Sequence, residues 1–558
     1  MGSIFYMERN GQKYAYESVS IRVPGKKNPK TVKTYLGKVD PETGRIIPKE
    51  SRKRPEEEYA KFYGAVQALD GIQKGMGIYE DLDAVFTTMA PNIMGAAMAL
   101  AINPISLDSL HYTVEGSVIK EKYRLRGTLS PTSAGDLTEK LGGMLTTMDR
   151  FFMKRIERAS SEFYSLDLTS VSTYSGLHGW AQWGHNRDGE DLRQTNIAMV
   201  TDSEGIPVMF RMLLGSVADM SVLKTTVEDL KRMGCEGRLV MDRGFESADN
   251  LAALLDLGVR FTMPSNARAE PIKKLMSMAV KDMDKASAFM FHEGSPYKAA
   301  EYEVGIAEVE GKHEYVVRVP VSHKGSRENN ERFDASPKLK AFVVFDPEKA
   351  AADIRGMMSA IHDAELKLEN TKHRDPAAVY KALPPFVRRY LDYRVDGDGL
   401  MHMVRKGNAM TFADNRAGMF VMLSSSDATW EQTMAAYDVR DWVEKAFDVY
   451  KNDLDGRRTR TGIEERARGR LFVKFVALMM RVRIRNILRK HDEDVLRTRE
   501  KKDSVNGMSV DEVMLSLGTL MAVGSTGDWR LTAVTKNVRE IFRLFGLEEP
   551  ESGKIVLS

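Results

Sequence analysis

An aspartate stands in the middle of an apolar strand pattern. Phe163-Tyr164-Ser165-Leu166-Asp167-Leu168-Thr169-Ser170-Val171 reads as a β-strand from its β-prone composition, and Asp167 sits at its centre. Burying an unpaired carboxylate in a sheet is costly, so this side chain needs a partner: an arginine, a turn to cap, or a shared divalent cation. The following segments say what kind of sheet surrounds it. Asn196 to Thr201 and Ile206 to Leu214 read as two more strands, joined by Asp202-Ser203-Glu204-Gly205, with glycine where a hairpin turn tolerates positive φ. Met220 to Met233 is helical, with Asp219 placed to cap it and Gly234 to end it. Arg238-Leu239-Val240-Met241-Asp242 is a short buried strand ending in a second acid. Ser247 can cap a helix from Ala248 to Leu257, and Arg260 to Met263 is a fifth strand. The order β-β-β-α-β-α-β predicts a mixed α/β sheet. An acid at the carboxyl end of such a strand sits where these sheets open a crevice for ligands.

With 558 residues the chain is too long for one core. Residues 1–56 form a basic, β-rich unit: Lys13 to Tyr16, Ser18 to Val23 and Thr31 to Leu36 are β-prone, punctuated by Pro24-Gly25 and Asn28-Pro29. Residues 57–158 are helical, with breaks at Pro91, Asn103-Pro104 and Ser130-Pro131. Residues 159–265 carry the two acids. Residues 266–416 read as a mixed α+β insertion. Its strands are Tyr302 to Val309, His313 to Val321 and Leu339 to Phe345, its helices Pro347 to Leu368 and Pro376 to Tyr390, and Ser322 to Pro337 is a loop. Residues 417–491 return to the core with a strand, Gly418 to Ser424, and two helices, Thr429 to Leu454 and Ile463 to His491. Residues 492–558 form a tail read as mainly helical, with one short strand from Trp529 to Ala533.

Hydrophobic residues at 42% and charged residues at 29% fit a soluble globular protein rather than a disordered one. The longest apolar candidate, Leu471 to Met480, is interrupted by Lys474 and too short to span a bilayer, so no membrane partner is expected. The N-terminus lacks an apolar signal core. A single cysteine, Cys235, excludes an intrachain disulfide framework and a cysteine-based zinc site, so the expected location is a reducing cytoplasm. Net charge is only +3, but its distribution is uneven. Residues 1–55 carry thirteen Lys/Arg against five Asp/Glu, and residues 451–490 thirteen against four. Such blocks either neutralise phosphates or form solvated faces whose stems cover apolar surface.

The helix from Thr429 to Leu454 carries Tyr437, Arg440, Glu444 and Lys451. Their spacings of three, four and seven place them on one face of a regular helix. An acid flanked by Arg one turn before and Lys two turns after suits a metal ligand beside two phosphate-binding cations, the Arg as a bidentate fork and the Lys as a point charge. An Arg440–Glu444 pair on a solvated face explains the same spacing.

These residues resemble a known family. Tyr437-x2-Arg440-x3-Glu444-x6-Lys451 resembles the signature of DDE insertion-sequence transposases of insertion-sequence family four and its relatives. Leu166-Asp167-Leu168-Thr169-Ser170 is similar to their first-acid motif and Val240-Met241-Asp242-Arg243-Gly244-Phe245 to their second. Gly205-Ile206-Pro207 and Leu214 to Asp219 add to the likeness. Tyr35-Leu36-Gly37-Lys38 and Val534-Thr535-Lys536 resemble the subgroup with long N-terminal regions. The resemblance implies an α/β, ribonuclease-H-like mixed-sheet core interrupted by an insertion, which suits the 202 residues between the second and third acids against 75 between the first two. It further implies catalysis by Asp167, Asp242 and Glu444 holding two Mg²⁺ ions, for which Mn²⁺ substitutes. DNA contacts would come from Tyr437, Arg440 and Lys451; Arg243, beside the second acid, either contacts DNA or pairs with that acid. The expected reaction is strand cleavage at transposon ends and transfer into target DNA. The partners are the inverted repeats, the target duplex and a second copy of the chain on DNA, and the setting is the cytoplasm, associated with the nucleoid.

A ribonuclease-H-like nuclease that cuts without joining would carry the same three acids, and a DNA-binding relative without activity would tolerate their loss. A glycosidase with paired carboxylates gives Arg440 and Lys451 no role. His185 and Asp188 read as an ordinary polar loop near the sheet, with a metal role as the alternative. Gly37 and Gly44 make no phosphate-loop pattern. Trp180, Trp183, Trp430, Trp442 and Trp529 read as core or interface residues, with base stacking as the alternative.

Overall fold

The computed structural model describes residues 3–9, 11–21, 30–41, 43–48, 59–175, 179–184, 188–216, 219–319, 325–498, 503–525 and 528–556. The chain divides into two compact units. The first comprises Met1–Lys61, Met521–Val534 and Glu551–Ser558, and the second Phe62–Leu520 and Thr535–Pro550.

The first unit contains an antiparallel four-stranded sheet in sequence order: β1 (Ser3–Arg9), β2 (Gln12–Ile21), β3 (Lys30–Val39) and β4 (Ile46–Pro48). The alternation of aromatic, β-branched and polar residues selects this state. A second sheet joins Tyr59–Phe62 to Met521–Ser525, Asp528–Leu531 and Lys554–Ile555. The tail is therefore mixed and not the helical region expected. Among the described residues beyond Thr498, the α-helices are Val510–Gly518 and Lys536–Leu544, each capped by a side chain, Ser509 and Thr535. The intervening strands are two to five residues long. Runs that short carry almost no periodicity.

The second unit is built on an eleven-stranded sheet. Its first strands are β5 (Phe163–Thr173), β6 (Arg193–Thr201), β7 (Pro207–Leu214), β8 (Arg238–Met241) and β9 (Phe261–Pro264). The insertion then adds β10 (Phe289–His292), β11 (Ser295–Val309) and β12 (Lys338–Phe345), and the chain returns as β13 (Met419–Ser425). The spatial order is β10-β11-β12-β13-β9-β8-β5-β6-β7, with Lys312–Val316 on β11 and Arg458–Thr459 on β5. β5, β8 and β9 are parallel, Arg458–Thr459 runs parallel to β5, and β6 and β13 are antiparallel to their partners in this group. Strands of the insertion thus extend the same sheet. The rest of the insertion is a three-stranded sheet with helices around it. Ser326–Ala335 is a helix inside the segment read as a loop, and Pro376–Tyr390 is two short helices because Pro384-Pro385 interrupts the pattern.

Helices cover the sheet. In chain order they include α1 (Ala90–Ile102), α2 (Pro131–Gly143), α3 (Asp219–Arg232), α4 (Ala248–Asp256), α5 (Pro347–Leu368), α6 (Trp430–Val439), α7 (Asp441–Asp448) and α8 (Glu464–Thr498). The stretch Ile78–Ile102 is apolar and long enough by composition to cross a membrane, more so than Leu471 to Met480; 61% of its most apolar window is buried within the protein. It is broken at Thr87–Met89, and α1 packs on α8. Arg481 lies fully buried in α8 and donates to Ala101 O, Asp453 and Asp511, which satisfies a charge placed within an apolar run.

α2 and α8 cross at backbone contact. A Cβ on Gly469 would lie 1.7 Å from the Thr138 carbonyl oxygen, and one on Gly142 1.6 Å from that of Glu465. A methyl group there must separate the two helices. Gly469→Ala is expected to destabilise the protein by about 3 kcal/mol. Gly143→Ala, where no heavy atom lies within 4 Å, should be nearly silent. The urea midpoints of the two variants measure the difference, and equal midpoints would refute the close crossing.

Candidate active site

The register of two parallel strands brings the first two acids together. On β5 and β8 the last paired residues are Leu166 and Met241. One residue further on each strand stand Asp167 and Asp242, and adjacent strands lie about 4.8 Å apart. Asp167 is the half-exposed residue in a strand whose other ten residues are buried. Its Oδ1 accepts the Leu168 N–H at 2.7 Å. Asp242 follows the strand end and caps the short 3₁₀ turn Arg243–Phe245, accepting from Gly244 N at 3.4 Å.

The third acid arrives from α7. Phe163 and Val240 of the sheet pack against Ala436 and Val439 of α6, which seats the helical segment over the two strands. That segment is not the single regular helix expected from Thr429 to Leu454. It is α6, then α7, then a π-helical turn at Val449–Asp453. The Ser165 hydroxyl donates to the Val439 carbonyl at 3.1 Å, occupying an acceptor of the helical ladder at the junction. The side chain two residues before Asp167 thus meets the break at Arg440, between Val439 and Asp441. The π turn lies at Lys451, a kind of irregularity that recurs at functional sites. Helical spacing alone would not place Lys451 correctly, because a π turn changes the phase.

Asp167, Asp242, Glu444, Tyr437, Arg440, Lys451 and Arg243 all line one cleft of about 660 Å³. Tyr437 is stacked on Phe420 with ring centroids 5.0 Å apart, and the Arg440 guanidinium lies 5.0 Å from the centre of the Tyr437 ring. Burial works against the Arg440 charge, but hydrogen bonds to Asp441 and the fields of Asp441, Tyr437 and Asp242 carry its pKa above the ordinary value. Arg440 does not pair with Glu444; its ionic partner is Asp441, at 2.8 Å. Lys451 donates to both oxygens of Asp188 at 2.8 Å, and both side chains are largely shielded from solvent. Arg243 and Glu444 are exposed at the cleft.

Sequence reasoning passed over several residues of this cleft. Asp188, read as part of a polar loop, lines it, while His185 lies outside the described residues. Lys349 comes from the first turn of α5 in the insertion, and Phe420, Asn452 and Arg457 complete the wall. Nothing in spacing links Lys349 to Asp167; the added strands of the sheet do. Three of the tryptophans are inner residues: Trp430 packs with Phe342 and Met434, Trp442 lies beneath Arg489, and Trp529 is buried.

Three carboxylates offer oxygen ligands only, the donor set of a hard divalent cation such as Mg²⁺. Among the described residues, the acid and histidine group whose ligand atoms all lie within 4.8 Å of one another is His292, Glu293 and Asp438.

Comparison with curated proteins returns no match. The transposase DDE domain family matches residues 158–480, which span every acid of the cleft and the whole interrupted sheet. The mixed α/β architecture is consistent with the ribonuclease-H-like fold of that family, and the match covers more than half of the chain: this protein belongs to the DDE transposases.

Proposed function

We propose that the protein cleaves DNA strands at the ends of a transposon and transfers them into target DNA, with Asp167, Asp242 and Glu444 as its catalytic carboxylates. The observation that carries this reading is the convergence, in one cleft, of three acids and four DNA-facing candidates drawn from three separate stretches of sequence. In this reading the chain falls within insertion-sequence family four and its relatives, whose signature the Tyr437, Arg440, Glu444 and Lys451 pattern resembles. In this reading residues 159–265 and 417–491 make the core, and residues 266–416 are an insertion that supplies Lys349.

The three acids would hold two Mg²⁺ ions, or Mn²⁺ in their place. Such ions would supply activation of the attacking oxygen and stabilisation of the leaving one. The protein side chains do the positioning. Arg440, kept cationic and braced on Tyr437, presents a fork to a phosphate near the cleaved end. Tyr437, held flat by Phe420, limits where the strand passes. Lys451 exchanges the Asp188 carboxylate for a backbone phosphate. Arg243, exposed beside Asp242, contacts the duplex. Two ends must be held together for joining, so the active form on DNA is a homodimer, and the work is done at the nucleoid in the cytoplasm.

The decisive experiment uses labelled duplexes carrying the DNA that borders the gene, with and without Mg²⁺. The wild type should nick at the element boundary and then join ends. Asp167→Asn, Asp242→Asn and Glu444→Ala should each lose at least about a thousandfold in cleavage rate while keeping DNA affinity. Nicking without joining would support a nuclease of the same core, and binding without cleavage in either metal an inactive relative. Normal cleavage by any of the three variants would refute its role.

The ion pair of Lys451 yields a separate prediction. An Asp188→Asn variant no longer competes with phosphate for Lys451. Releasing a pair worth about 1 kcal/mol should raise affinity for duplex DNA about fivefold at low salt. Lys451→Gln should lower affinity, and the double variant should match Lys451→Gln. Fluorescence anisotropy titrations measure all three, and an Asp188→Asn variant that binds no tighter would refute the exchange.

A further inference from the structure

The first unit presents a sheet face that the cleft does not use. Strand register assigns its residues to two sides. On one side β1 contributes Ser3, Phe5, Met7 and Arg9, β2 contributes Gln12, Tyr14, Tyr16 and Ser18, and β3 contributes Lys33, Tyr35 and Lys38. Phe5 pairs with Tyr16 and Tyr16 with Tyr35 across the strands. A bulge between Ala15 and Tyr16 on β2 absorbs one extra residue of β3, so Lys38 falls opposite Tyr14, on this same side.

Four aromatic rings form a continuous row. Phe5 and Tyr16 are stacked with centroids 5.5 Å apart, Tyr16 and Tyr35 are 5.3 Å apart, and Tyr14 and Tyr35 are 6.1 Å apart. Lys33 Nζ lies 5.1 Å from the centre of the Phe5 ring. Arg9, Lys33 and Lys38 are exposed. Glu8 and Glu17, the acids of β1 and β2, belong to the opposite side, so the aromatic side carries three cations and, among the described strand residues, no carboxylate. The other side balances its charges: by register Lys13 and Lys30 stand there with those two acids, and Ile4, Tyr6, Val19 and Val32 are exposed beside them.

We infer that the aromatic, cationic side of this sheet is a docking surface for duplex DNA. The proposal rests on the transposase reading above and names the surface by which the first unit meets its substrate. Charge complementarity selects a polyanion, since the three cations of this side face no strand acid, whereas Lys13 and Lys30 on the other side stand with Glu8 and Glu17. The ring geometry selects a duplex over a single strand. Single-strand binders offer free ring faces on which bases stack. Here the rings are half-buried and already packed on one another, leaving the tyrosine edges and hydroxyls, with the three cations, to meet phosphates. A pair of antiparallel strands also has the width that a major groove admits.

The test compares full-length variants with the same charge change on opposite sides of the sheet. Lys33→Glu and Lys38→Glu alter the aromatic side, and Lys13→Glu, which pairs with Glu8, alters the other. Affinity for a duplex of the gene-bordering DNA is measured by anisotropy across a salt series, beside a single strand of equal length. Lys33→Glu and Lys38→Glu should each weaken duplex binding about tenfold and reduce the salt slope by about 1, and Lys13→Glu should change it by less than about twofold. Equal effects from both sides, no effect from Lys33→Glu and Lys38→Glu, or tighter binding of the single strand would overturn the proposal. Circular dichroism of each variant excludes loss of the sheet as the cause. Nicking by the wild type is followed in parallel. A wild type that binds through this face without nicking removes the transposase reading and leaves the surface standing, and a wild type that nicks while Lys33→Glu binds normally does the reverse.

Discussion

The parallel register of β5 on β8 is the constraint from which the candidate active site follows. Leu166 opposes Met241, so Asp167 and Asp242 come next on neighbouring strands at the centre of the sheet. A slip of one residue would turn every side chain of β5 to the other face and part the two acids. Such a slip is costly because β5 is buried on both sides: ten of its eleven residues are inaccessible, and Asp167 is the point where the strand opens to the cleft. The apolar packing of the strand thus fixes the position of a charge.

Bringing acids together costs free energy unless cations answer them, and the cleft wall supplies these from distant segments. Arg440 stands among Asp441, Tyr437 and Asp242, which together hold it charged despite its burial. Lys451 is matched by Asp188, and Lys349 and Arg457 line the same wall. Opposite charges interleaved in a half-buried groove give strong local fields with little net charge, which suits a site that must admit a polyanion and keep a place for cations beside it.

The same pairing of aromatic ring and cation serves in both units. In the cleft Phe420, Tyr437 and Arg440 form a stack, and in the first unit Phe5 and Tyr16 stack with Lys33 over the Phe5 ring. In each case the ring fixes the direction of a long, otherwise mobile side chain. Departures from regular geometry do similar work. The break between α6 and α7, met by Ser165, and the π turn at Lys451 rotate side chains into the cleft that an unbroken helix would distribute differently.

What the sequence alone determined was local. The β-β-β-α-β-α-β order, the acid at the centre of one strand and at the end of another, the caps at Ser247 and Gly234, and the spacing from Tyr437 to Lys451 all follow from periodicity and short-range hydrogen bonding, which neighbouring residues set. The likeness of its acid motifs to those of DDE transposases is likewise a property of the sequence, and the chain belongs to that family. Tertiary structure decided the rest. It made the strands of the insertion continue the core sheet, brought Lys349 and Asp188 to the cleft, gave Arg440 the partner Asp441 in place of Glu444, and paired tail strands with Tyr59–Phe62. Those outcomes depend on strand pairing and side-chain contact between segments up to hundreds of residues apart, and no pattern within a single segment encodes which distant edge or charge it will meet.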